Sequence, residues 1–175
     1  VTTTTELTGA VIDWLVNACN QSPVLGVQNP QVLIFDGPTL SDTQLVAPQR
    51  VWIGADGYTT PGAEVEAATF SENFAFLDHA RTRDDTIDVA CACEYFDGDP
   101  THQKIARDGA LALMGAVELL LRGDPSTGGP GDASMGGLVF WSQVTGPGAL
   151  IQSQKSAGVS ALVRFRVSAF ARLMT

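Results

Sequence analysis

Four carboxylates within one short stretch are the best candidates for chemistry: Asp84, Asp85, Asp88 and Glu94. Residues 84–96 alternate in polarity with a period of two, the signature of a strand with unlike faces. On such a strand Asp84 and Asp88 share a face, at a spacing that could flank a divalent cation or a sugar. Metal-dependent chemistry would need more ligands, and no histidine or acid from a third strand is evident nearby in sequence. Cys91 and Cys93 form a Cys-x-Cys pair on the same strand, too far apart and too parallel for an easy bridge. Neither His79 nor His102 stands at a ligand spacing from them. With Cys19 in a helical segment, all three cysteines read as buried reduced thiols. Gly54-Ala55-Asp56-Gly57 and Gly128-Gly129-Pro130-Gly131 are glycine-rich, but they lack the Lys-Ser/Thr flank of a phosphate loop and read as turns. Nucleophile elbows and zinc-protease helices are not found, and no cofactor or metal is expected.

A second reading of the carboxylates pairs them with bases. Residues 161–172 also alternate: Ala161, Val163, Phe165, Val167, Ala169 and Ala171 fall on one side, while Arg164, Arg166, Ser168 and Arg172 fall on the other. An acidic strand face and a basic one suit antiparallel neighbours. Asp84, Asp88 and Glu94 are therefore expected opposite Arg164, Arg166 and Arg172, either within one chain or across a contact between subunits. Exposed pairs of this kind stabilise by only about 0–1 kcal/mol each, so register and partner selection are their expected use. Arg81, Arg83 and Lys104 can be read as phosphate contacts, as part of a subunit contact, or as solvated side chains.

Composition narrows the class. The chain of 175 residues suits one domain, 1–175, and 45% apolar residues suffice for a core. Charged residues make up only 17%, and there are 18 glycines, a balance that suits surface hidden in an oligomer. A net charge of −9 argues against ordinary nucleic-acid binding, although an acidic channel would let DNA slide without sticking. No segment reaches the ~18 apolar residues of a membrane span. The start, from Val1, lacks a signal-peptide layout and fits removal of an initiator methionine, so a soluble protein made in the cytosol is expected.

The elements that must position these groups follow from periodicity. Residues 5–19 predict an amphipathic helix capped by Thr4 or Thr5, with Leu7, Val11, Trp14, Leu15 and Ala18 on its apolar face. Residues 32–36 and 50–54 predict short strands, and 64–70 with 74–77 weaker strands or a hairpin. Arg81-Thr82-Arg83-Asp84-Asp85 is expected to be exposed. A helix from about Pro100 to Arg122 should bury Ile105, Gly109, Ala112, Leu113, Ala116, Val117, Leu120 and Leu121. Residues 123–137 have nothing evident to bury and read as a flexible loop, with Gly128, Gly129, Pro130, Gly131 and Met135 as candidates to face a partner. Strands 138–145, 149–153 and 159–173 complete the chain, with a turn or bulge at Gly146-Pro147-Gly148. The fold class is α+β: a sandwich in which two helices pack one face of a mostly antiparallel sheet.

In pattern and order this chain resembles the tail terminator (tail completion) proteins of long-tailed bacteriophages. The likeness runs from Val32 onward. It rests on Val32 to Pro38, on Arg50-Val51-Trp52-Ile53-Gly54, and on the charged entry 81–85 to the long alternating strand. It continues in Val117-Glu118-Leu119-Leu120-Leu121-Arg122 with Asp124-Pro125, in Gly136-Gly137 leading to a strand, and in the basic strand from Ala161 to Arg172. The resemblance implies a non-enzymatic virion protein, assembled in the host cytoplasm, that forms a hexameric ring at the head-proximal end of the tail tube. Its implied partners are further copies of itself, the tail tube protein and the head-tail connector or neck protein, with DNA passing through the lumen and no membrane involved. The long glycine-rich loop departs from that pattern. Other readings are another neck or tube component, or a small metal-dependent enzyme using Asp84 and Asp88.

Overall fold

The computed structural model describes residues 3–26, 32–40, 47–77, 80–122 and 132–174. Helix α1 spans Thr4–Gln21. Strands β1 (Val32–Asp36), β2 (Thr39–Leu40), β3 (Gln49–Ile53), β4 (Tyr58–Thr59), β5 (Ala68–Leu77) and β6 (Ala80–Asp97) follow. Helix α2 (Gln103–Arg122) then leads to β7 (Trp141–Lys155) and β8 (Gly158–Met174). The architecture is α+β, with a mostly antiparallel sheet and two helices.

The centre of the sheet is the expected pair of alternating strands. β6 and β8 run antiparallel in unbroken register from Thr82↔Met174 to Asp97↔Val159. Five strands lie in the order β1-β3-β6-β8-β7, and β5 also pairs with β6. Along its outer edge β6 is thus shared: β3 takes Cys91 to Tyr95, and β5 takes Ala80 to Val89. Only β1 and β3 are parallel within this sheet. β7 shifts register between Thr145 and Ala149, where the sequence places its Gly-Pro-Gly bulge. The hairpin into β8 depends on Gly158, whose φ is 138° and where a Cβ would sit 2.1 Å from the Asp97 carbonyl oxygen.

Both helices cover one face. There Ile87, Val89, Cys91 and Cys93 of β6 and Val163, Phe165, Val167 and Ala169 of β8 meet Leu7, Val11 and Leu15 of α1 and Leu113, Val117 and Leu121 of α2. Each such fully buried branched side chain stabilises the fold by roughly 1.5–3 kcal/mol. The cap of α1 is Thr3, one residue before the expected position, in a reciprocal capping box with Glu6. α2 begins at Gln103, later than expected, and its buried stripe is Ala106, Ala110, Leu113, Val117, Leu120 and Leu121. Ile105 and Ala112, expected inside, are exposed. Tyr95 presses so close to Gly109 that a Cβ there would lie 2.4 Å from its ring. Only small side chains fit beneath that half of the helix.

Three further expectations change. Residues 68–77 form one strand rather than two pieces. The charged entry to β6 is not exposed: Thr82, Arg83 and Asp85 are buried. Arg83 grips Asp85 at 2.8 and 2.9 Å, and Thr4 of α1 donates to the same carboxylate at 3.0 Å. This buried cluster ties the start of α1 to the sheet. Residues 132–137 form an ordered turn, in which Asp132 accepts from the backbone N–H groups of Ser134 and Gly136 at 2.8 Å. Met135, expected to face a partner, is fully buried in the main core, with φ at 51°.

Candidate functional site

The face of the sheet away from the helices carries Asp84, Asp88, Glu94, Arg164, Arg166 and Arg172, whereas Asp85 points to the helix side, and this outer face is divided in two. Beyond β3, residues 54–67 fold back over one end as a flap, stitched by the small parallel pair β2 and β4. Trp52 anchors this flap. It is fully buried, stacks with Phe35 at 5.6 Å, meets Tyr58 edge-on at 5.0 Å and donates to the Thr39 hydroxyl at 2.9 Å. Trp52, Ala55 and Ala92 form a second, smaller core there.

Under the flap lies Glu94. Expected on a wet face, it is only 5% exposed. Arg50, directly opposite on β3, donates to it at 2.6 Å, and the Tyr58 hydroxyl donates at 2.6 Å. Arg50 also donates to the Tyr58 oxygen at 2.6 Å, closing a triangle. Burial, and then the neighbouring Glu94, push the Tyr58 phenol up. It stays a neutral donor at any ordinary pH.

At the uncovered end Asp84 faces Arg172, its partner in register. The guanidinium reaches both carboxylate oxygens, at 2.7 and 2.8 Å, and holds the Asp84 carboxyl below its usual range. Asp88 accepts from Ser168 opposite, which in turn bonds Thr145 at 2.8 Å. Arg164 and Arg166 do not meet β6 acids. Arg164 donates to the Asp56 carbonyl at 2.9 Å and Arg166 to Glu66 at 2.8 Å, so both clasp the flap from outside. The set Asp84, Asp88, Glu94, Arg164, Arg166 and Arg172 therefore finds partners within one chain.

Consequences for chemistry follow. Arg172 already engages both oxygens of Asp84, and Ser168 engages one oxygen of Asp88. Among the described residues no group of three or more His, Cys, Asp or Glu side chains is arranged to hold a metal. Cys19, Cys91 and Cys93 are all buried and unbridged. Burial raises each thiol, Cys19 to about 12, which leaves none as a thiolate nucleophile near neutrality. Among the described residues no helix is long and apolar enough to cross a membrane. Gly128, Gly129, Pro130 and Gly131 lie outside the described residues.

What the surface offers instead is apolar. Phe70 (53%) and Phe74 (61%) on β5 are exposed, as are Phe140 (75%) and Trp141 at the start of β7. Trp141 stacks on Phe170 at 5.7 Å, and the Arg172 guanidinium lies over the same Phe170 ring. Farther along β7, Leu150 and Ile151 are exposed too. β5 and β7 have no further strand partner in the described sheet. Sequence reasoning missed Arg50, Tyr58 and these edge aromatics. One signal was present: a lone arginine in the apolar run Gln-Arg-Val-Trp-Ile calls for a buried acid opposite. No known protein family matches the chain, nor does any curated protein.

Proposed function

We propose that this chain is a ring-forming structural subunit of a bacteriophage tail, seated at the head-proximal end of the tail tube. The ring ends tube polymerisation and offers a docking surface to the head or neck, and DNA passes through its lumen. The order of elements that resembles tail terminators supplies the location. The observation that most supports the reading is the placing of large exposed apolar side chains on two unlike edges of one sheet, Phe70 and Phe74 on one side and Phe140, Trp141, Leu150 and Ile151 on the other. Exposed strand edges of this kind invite pairing with another chain. Contacts between unlike patches are head-to-tail, and they close into a ring when the rotation per subunit divides a circle. A net charge of −9 suits a lumen through which duplex DNA must slide.

The test is arrest of tube growth. Purified full-length chain, added in small molar amount to polymerising tail tube protein, is expected to stop elongation and leave an annulus on one tube end in electron micrographs. Unchanged tube lengths with bare ends would overturn the reading. An annulus found only on the head connector would favour a neck component instead.

A further inference from the structure

The registers of the sheet form continuous rows from one free edge to the other. Ala68 of β5 pairs with Val89 of β6, Val89 with Val167 of β8, and Val167 with Val144 of β7. The next rows run Thr69–Asp88–Ser168–Gln143, Phe70–Ile87–Ala169–Ser142 and Ser71–Thr86–Phe170–Trp141. Every pairing in these rows is antiparallel, so β7 runs with β6 and against β5. A copy generated by rotation about an axis along the strands keeps strand directions. Its β5 therefore approaches β7 antiparallel, the pairing in which ladder bonds are perpendicular and strongest.

Register is selected by the apolar residues. Joining each row in line to the next copy's row sets Gln143 opposite Thr69 and Trp141 opposite Ser71. Extended one residue ahead of β7, the same register sets Phe140 opposite Glu72, between Phe70 and Phe74 of the neighbour. Four of the exposed large apolar side chains, Phe70, Phe74, Phe140 and Trp141, then lie along one seam. Charge does not oppose the contact: β5 carries Glu72, and Trp141–Val144 carries neither acid nor base.

We infer that the contact between copies is strand addition: the outer edge of β5 pairs antiparallel with Trp141–Val144 of the next copy, in line with the rows inside each subunit. The occupant of each edge is a second copy of this chain, and the inference rests on the ring reading above. The seam sets Phe140 between Phe70 and Phe74, which blunts two edges that would otherwise pair indiscriminately.

Paired cysteines test it. Residues facing each other across adjacent strands lie within bridging distance. Full-length T69C/Q143C and S71C/W141C, oxidised alone and on tail tubes, are each expected to give a ladder of disulfide-linked multimers on non-reducing gels. Each single cysteine variant and the out-of-register pair T69C/I151C should give none. The native thiols are buried and do not compete. F74K and F140K are expected to weaken assembly about tenfold or more. Rings seen by native mass spectrometry or microscopy without the in-register ladder would overturn the seam and leave the ring reading standing. Monomers under every condition, tubes included, would overturn both.

Discussion

The two ends of one strand face have opposite fates. Asp84 and Glu94 lie on the same side of β6, both acidic, both opposite an arginine in register. Glu94 is buried under the flap in a closed triangle with Arg50 and Tyr58, whereas Asp84 holds Arg172 in the open. The difference is made by fourteen or so residues that contribute almost no regular structure. What covers a charge decides whether its partner organises the fold or merely decorates it.

That contrast can be broken at its buried end first. Arg50→Ala or Glu94→Ala leaves one charge uncompensated under the flap, and should cost about 3–5 kcal/mol in urea unfolding. A much smaller loss would mean that water reaches the pair. Tyr58→Phe removes hydrogen bonds to a charged pair but leaves the pair joined, with an expected cost of about 2 kcal/mol. Next come the outer clasps. R164E/R166E sets like charges against Asp56 and Glu66, so limited proteolysis should cut within residues 54–67 while the core signal of circular dichroism persists; protection equal to wild type would contradict the clasp.

The smallest effect belongs to Arg172→Ala, and its sign depends on pH. Arg172 depresses the Asp84 carboxyl below its ordinary value of 3.8, so the contribution is full above that pH and fades as pH falls through the depressed value. The variant should therefore show its Tm deficit at neutral pH and converge on wild type as pH drops below about 4. A constant deficit across that range would assign the loss to the contact with Phe170 instead.

The legibility of these features in sequence follows the same division. β6 and β8 were readable because period-two alternation and opposite charge both act between residues near in register, and both persist over long strands. The flap was not readable. β2 and β4 are two residues each, and their packing depends on Trp52 and Tyr58 meeting residues far away in sequence. Glu94 therefore looked wet. Met135 was hidden by averaging: the glycine-rich composition of 123–137 concealed Asp132, whose side chain orders the turn and drives Met135 inward. In α2 the stripe is legible at its C-terminal half and misplaced at Ile105 and Ala112, because the buried face there runs through Ala106 and Ala110 and nothing local announces that Tyr95 packs against Gly109. The edge aromatics were invisible as a site for a related reason. Phe70 and Phe74 alternate as core residues do, and only the order of strands reveals that their side of the sheet has run out of cover.

The measurement that bears most directly on the account is electron cryo-microscopy of the virion neck with this chain carrying a density tag. The account predicts a closed annulus of tagged copies between the tail tube and the head, each joined to the next along one continuous sheet. Tag density away from that junction, or copies that do not touch one another, would contradict it.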